Sequence, residues 1–146
     1  MAQVEKSVLI AHSAQQMFDL VDRCEDYPLF LPWCSHTECA FRDAVKTVGV
    51  LHINYHGVKS HFTTENTKEA PTFMHIRLVD GPFRHLDGDW RFTALRADAC
   101  KVEFRMHYEF SSKLLEKVIG PVFSHIANTF VDAFVKRAEQ VYGAHP

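Results

Sequence analysis

From residue 36 to residue 110 apolar side chains recur at every second position, and from Ser111 to Tyr142 they recur at every third or fourth. A run of strands closed by one helix leaves few ways to build a core, because a sheet buries one face and needs another layer to cover it. The cleanest strand carries Val102, Phe104, Met106, Tyr108 and Phe110, separated by Glu103, Arg105, His107 and Glu109. Met74, Ile76 and Leu78 alternate with His75 and Arg77, and Leu86, Trp90 and Phe92 share a parity against Asp87, Asp89 and Arg91. These are half-buried antiparallel strands. Within 47–56 the apolar parity switches between Val50 and Leu51, which predicts a bulge that bends the sheet. Turn signals at His56-Gly57, Ala70-Pro71, Gly81-Pro82 and Ala97-Asp98 join consecutive strands into a meander.

Two other stretches flank this run. Residues 4–11 read as a strand, and Ser13-Ala-Gln-Gln16 as a capping box that opens a helix with Ala14, Met17, Phe18 and Val21 on one face. In Tyr27–Cys34, Pro28 and Pro32 limit any helix to about a turn or two. Exposed loops seldom hold Tyr27, Leu29, Phe30, Leu31 and Trp33 together, so some of these must be covered. In the last segment Leu115, Ile119, Val122, Ile126, Phe130, Ala133 and Phe134 form an apolar stripe, and Gly143 is a natural stop. Pro121 predicts a kink, or a short helix followed by a longer one.

The expected architecture is one α+β domain spanning 1–146, with about six to seven strands in a curved antiparallel sheet wrapped around a long C-terminal helix and short helices after the first strand. A chain of 146 residues has material for an internal cavity. Its net charge of −2 offers no general attraction for polyanions or anionic membranes, so nucleic-acid contact would need a local patch. No basic start followed by an apolar run opens the chain, and no later segment reads as a membrane span, so the expected compartment is cytoplasmic. Cys24, Cys34, Cys39 and Cys100 form no C-x-x-C pair and are expected as reduced thiols. His52, His56 and His61 lack compact metal-site spacing, and no metal is expected.

The twelve phenylalanines and four tyrosines make an apolar interior. Single aromatics at these periods are ordinary core. Their concentration at irregular backbone, in Pro28–Trp33, Gly81–Phe83 and the start of the last helix, points to a cavity between sheet and helix. In Leu78–Trp90, Phe83 and Trp90 are expected at the cavity end, with Asp80, Asp87 and Asp89 in water or capping turns.

The blocks KSVLIAHSAQQMFDLV, YPLFLPWC, DGPFRHLDGDWRF, EFSSKLLEKVIGPVF and FVDAFVKRAEQVYG, in that order over nearly the full length, resemble the coenzyme Q-binding proteins of the START-like, polyketide cyclase superfamily. That branch includes the ribosome-association toxins. The resemblance implies a helix-grip fold and an apolar tunnel. It further implies non-enzymatic binding of ubiquinone or a related polyprenyl lipid, as a carrier or chaperone supporting respiration, with transient membrane contact but no insertion. The alternative it implies is binding to the large ribosomal subunit that blocks subunit joining, and a second alternative is a polyketide cyclase or aromatase.

A quinone needs a long apolar channel and one or two donors for its ring oxygens. Phe30, Phe62, Phe83, Met106, Phe123, Ile126, Phe130 and Phe134 are the candidate walls; Trp33, Trp90, Tyr108 and, at the cavity mouth, Arg84 are the candidate donors. A cyclase needs an acid or base inside the cavity. Among His75, Arg77, Arg84, His85, Tyr55 and Tyr108 no triad, nucleophile elbow or paired carboxylates single out a catalytic residue, and no catalytic cofactor is implied. Ribosome binding needs cations facing phosphate. Arg84, Arg91, Arg96, Lys101 and Arg105, with Lys113, Lys117, Lys136 and Arg137 on the last helix, are candidates, but interleaved acids make the hairpin set read as a solvated mixed-charge face.

Overall fold

The computed structural model describes residues 2–143. Its strands are β1 (Ala2–Ile10), β2 (Cys34–Arg42), β3 (Lys46–Tyr55), β4 (Val58–Glu69), β5 (Phe73–Asp80), β6 (Phe83–Arg96) and β7 (Ala99–Phe110). Helix α1 (Ala14–Asp22) and a short 3-10 turn (Cys24–Leu29) separate β1 from β2, and α2 (Lys113–Tyr142) closes the chain. All neighbours pair antiparallel in the order β1-β7-β6-β5-β4-β3-β2. The meander from β2 to β7 follows from its tight turns. At the β3–β4 turn His56 and Gly57 both hold positive φ, 50° and 79°, which suits the right-handed twist of the flanking strands.

Only one face of the sheet is packed. The β7 stripe Val102, Phe104, Met106, Tyr108 and Phe110 is buried, as are Leu86, Trp90 and Phe92 on adjacent β6 and Met74 and Ile76 on β5 beyond it. α2 lies across this face and buries Ile119, Phe123, the adjacent Ile126 and Ala127, Val131, Phe134 and Ala138, successive turns recurring at three or four residues. The capping box of α1 forms as expected: Gln16 N–H donates to Ser13 Oγ at 3.0 Å and Ser13 N–H to Gln16 Oε1 at 2.9 Å. Ser112 caps α2 by accepting from Leu115 N–H at 3.1 Å.

Several expectations are corrected. β3 pairs with β4 without a register shift from Lys46↔Thr67 to Tyr55↔Val58, so no bulge sits between Val50 and Leu51. Thr47, Gly49, Leu51 and Ile53 all face inward. The parity only seemed broken because Thr47 and Gly49 are inward and not apolar. Register shifts lie instead in β2, between Cys34 and His36 and between Cys39 and Phe41, in the β4–β5 pairing at Thr63/Thr64, and in β6 at Phe83/His85 and Ala94/Arg96. Of the two outcomes expected at Pro121, the break into a short and a longer helix does not occur: α2 is one helix with the proline inside it, and the packing of Ile119 and Phe123 on either side against one sheet offsets the lost hydrogen bond. By length and composition α2 is also apolar enough to cross a membrane, contrary to the sequence reading; here its apolar stripe is used on the sheet.

Candidate functional site: an apolar cavity with one polar wall

Between α2 and the concave face lies a cavity of about 70 Å³, with about 690 Å³ of atom-free space around it when its open mouth is included. At the roughly 30 Å³ each water occupies in the liquid, the core volume holds about two waters. A prenyl chain would enter only if aromatic side chains swing aside.

Of the anticipated residues, Trp33, Phe62, Trp90, Met106, Phe123, Ile126 and Phe130 line this cavity. The others lie elsewhere. Phe83 stacks on Phe110 at 4.9 Å and meets Phe123 edge-on, forming an aromatic plug with Tyr108. Phe134 stands behind Phe130, its centroid 5.1 Å away. Phe30 lines an outer groove between the 27–34 segment and α2, where the Arg137 guanidinium covers its ring at 5.3 Å. Arg84, expected at the mouth, instead borders a separate groove with Tyr108 and Pro121. Its side chain is 67% exposed and reaches Glu109 at 3.8 Å. It lies on β6 one residue from inward-facing Phe83, and alternation turns it outward. Tyr108 borders that groove too, and burial raises its phenol pKa.

The 27–34 segment is covered as its composition demanded, except for Leu29 and Pro32, which are exposed. Tyr27 packs edge-on against Phe134 at 5.4 Å and donates its hydroxyl to the Val21 carbonyl. Burial also pushes its phenol well up. Trp33 lines both the cavity and the outer groove, so its indole is the partition between them.

Sequence reasoning missed the wall built by β3 and β4. Thr47, Gly49, Thr64 and Asn66 line the cavity, as does Cys24 of the 3-10 turn. Burial raises the Cys24 thiol to about 12, so it is a poor nucleophile. Beyond Thr47 the wall becomes ionic. Lys68, buried, reaches Asp22 at 3.1 Å, and the Thr47 hydroxyl donates to Asp22 Oδ1 at 2.8 Å. Arg42 donates to both oxygens of Glu25 at 2.6 and 2.7 Å and to the Asp22 carbonyl at 2.8 Å, satisfying an end group of α1. The signal that could have revealed this wall was the even parity of Phe62, Thr64, Asn66 and Lys68 along β4, which continues the apolar side.

Among the described residues no Asp, Glu, His, Lys or Arg side chain lines the cavity. On the outer face, Arg91 and Arg105 approach Asp89 at 3.5 and 3.2 Å, and Arg96 approaches Asp98 at 2.9 Å. Asp89, expected in water, is held across the sheet by these cations. His36, His52 and His61 form a cross-strand ladder with centroids 5.3 and 5.5 Å apart. Among the described residues no group of three or more His, Cys, Asp or Glu side chains is placed to hold a metal.

A family model described as polyketide cyclase / dehydrase and lipid transport matches residues 10–135. The chain belongs to this family. Among its relatives is the ribosome association toxin RatA of Vibrio cholerae, 42% identical over 143 residues that cover 98% of this chain and 99% of RatA. Coenzyme Q-binding protein COQ10 homolog B of Xenopus laevis is 28% identical, covering 94% of this chain and 58% of its own length. The Zhui aromatase/cyclase from Streptomyces sp. R1128 superposes with a TM-score of 0.79 at 17% identity, covering 99% of each chain. That likeness establishes the helix-grip fold alone. The resemblance read from the sequence blocks and the curved sheet over one long helix are both borne out.

Proposed function

We propose that this protein associates with the large ribosomal subunit and hinders subunit joining, acting as a binding protein in the cytoplasm. The observation that carries this reading is the 42% identity to a ribosome association toxin over essentially the whole of both chains. The order of preference anticipated from sequence, quinone first, is therefore reversed. The arrangement of charge supports a contact through α2. The β6–β7 cations Arg84, Arg91, Arg96 and Arg105 each lie beside a carboxylate. Lys113 and Lys117 stand exposed on the first turns of α2 and Lys136 on its last, free to meet phosphate. The test is cosedimentation of purified protein with large subunits in a low-salt sucrose gradient. Association is expected, weakening as salt rises and reduced by Lys113→Glu with Lys117→Glu; no association at low salt rejects the reading.

A second reading is favoured by the uncharged, largely apolar cavity: binding of a neutral isoprenoid such as ubiquinone, in keeping with the COQ10 relative. Affinity would come mainly from the tail, at about 0.8 kcal/mol per buried methylene. Organic extraction of purified protein followed by mass spectrometry tests it; an empty extract with no quinone binding on titration removes it. No cyclase step is proposed: among the described residues no carboxyl or imidazole lines the cavity itself, the Asp22 carboxylate behind Thr47 is tied to Lys68, and Cys24 and Tyr27 are held protonated by burial.

A further inference from the structure

The polar wall of the cavity is not fully used by the protein itself. Of the side chains that β3 and β4 turn inward, Thr47 and Lys68 are bound to Asp22. Asn66 is not: its Oδ1 is buried and has no hydrogen-bond partner, and the residue lines the cavity beside Thr64. A buried carboxamide oxygen without a partner is costly, and native proteins seldom keep one unless a water or ligand completes it. Oxygen and nitrogen of the amide can exchange places by rotation, so the same side chain can accept from a hydroxyl or donate to a carbonyl.

We infer that Asn66 is the polar anchor of the cavity and binds the head group of a neutral, oxygen-bearing amphiphile. Among the described residues no charged group lines the cavity, which disfavours an ionised head, because burying an unpaired charge is prohibitive. Ligand orientation follows. The oxygen-bearing end lies under β3 and β4, next to the Asp22–Lys68 pair, and the apolar end runs along Trp90, Phe104 and Phe130. This is the opposite wall from Arg84, where sequence placed the polar contact. The inference rests on the second reading above, that the cavity takes a lipid.

The probes are decylubiquinone, which carries ring oxygens, and decylbenzene, which has the tail and a ring without them. Each is titrated against wild type and Asn66→Leu, followed by quenching of Trp33 and Trp90 fluorescence. Asn66→Leu is expected to weaken decylubiquinone about tenfold, the size of one lost hydrogen bond, and to leave decylbenzene unchanged or tighter. The quinone carbonyl stretch of bound decylubiquinone should move toward its unbonded frequency in the variant. If Asn66→Leu does not fold, Asn66→Ser is used, with the same two readouts. Equal decylubiquinone affinity and an unmoved stretch in the variant overturn the anchor while leaving the cavity reading intact. Failure of wild type to bind either probe overturns both.

Discussion

The indole of Trp33 packs on the ring of Phe130, centroids 6.1 Å apart and planes inclined by 42°, where the 27–34 segment meets α2. Trp33 faces the cavity on one side and the outer groove on the other. Trp33→Ala should therefore join the two spaces. The expected cost is about 3–5 kcal/mol of stability, as for other buried aromatic truncations, together with increased binding of a hydrophobic dye such as ANS to the folded protein. Urea unfolding and dye fluorescence measure the two effects; a stability loss without added dye binding would show that Trp33 is core and not partition.

Lys68 and Asp22 join β4 to the end of α1, with side chains 5% and 16% exposed. Removing one partner leaves the other short of compensation. Lys68→Met is expected to destabilise by about 2–3 kcal/mol, below the usual range for a fully buried pair because Arg42 still approaches Asp22. Lys68→Met with Asp22→Leu should recover part of the loss. A double variant as unstable as the sum of the singles would contradict the coupling.

Pro121 sits inside the continuous α2 helix. It cannot donate to the carbonyl four residues earlier, and its exposed ring contributes little packing. Pro121→Ala should raise the thermal midpoint, with a gain of about 1–3 kcal/mol given the difference in helix propensity. An unchanged or lowered midpoint would mean that the ring is needed where it stands, beside the groove containing Arg84 and Tyr108.

Glu25 is held below the ordinary carboxylate range, chiefly by its hydrogen bonds with Arg42. A depressed folded-state pKa contributes stability that is present above the unfolded value and is lost as pH falls through the folded one. The side chain is 36% exposed, so solvent screens the pair and the effect is small. Glu25→Gln should melt below wild type at neutral pH and converge with it as acid protonates Glu25. Melting curves from pH 7 to about pH 3 that stay parallel would refute this role.

Much of the fold was written in period. The β7 alternation and the Ser13–Gln16 box depend on neighbours within one element and formed as read. The α2 stripe held at Ile119, Ile126 and Phe134, while Leu115, Val122, Phe130 and Ala133 are partly buried and Phe123, Ala127, Val131 and Ala138 complete the buried face. Period failed where an inward position is not apolar. Thr47 and Gly49 disguised the inward side of β3 as a bulge, and the polar half of β4 concealed the wall holding Asn66. The aromatic lining was legible because large apolar groups must be buried somewhere. Which of them border the cavity and which merely plug its ends was not, since Phe83 and Phe62 look alike until their strands are laid side by side.

Sequence by itself determined the element order, the curved meander with one covering helix, and an interior rich in phenylalanine, because periodicity and turn chemistry are local. Tertiary structure decided that the cavity is narrow, that Trp33 divides it from the surface, that Arg84 faces outward and that the polar wall lies under β3 and β4. Those depend on which side chains from distant strands meet across the sheet and helix, and how closely they pack.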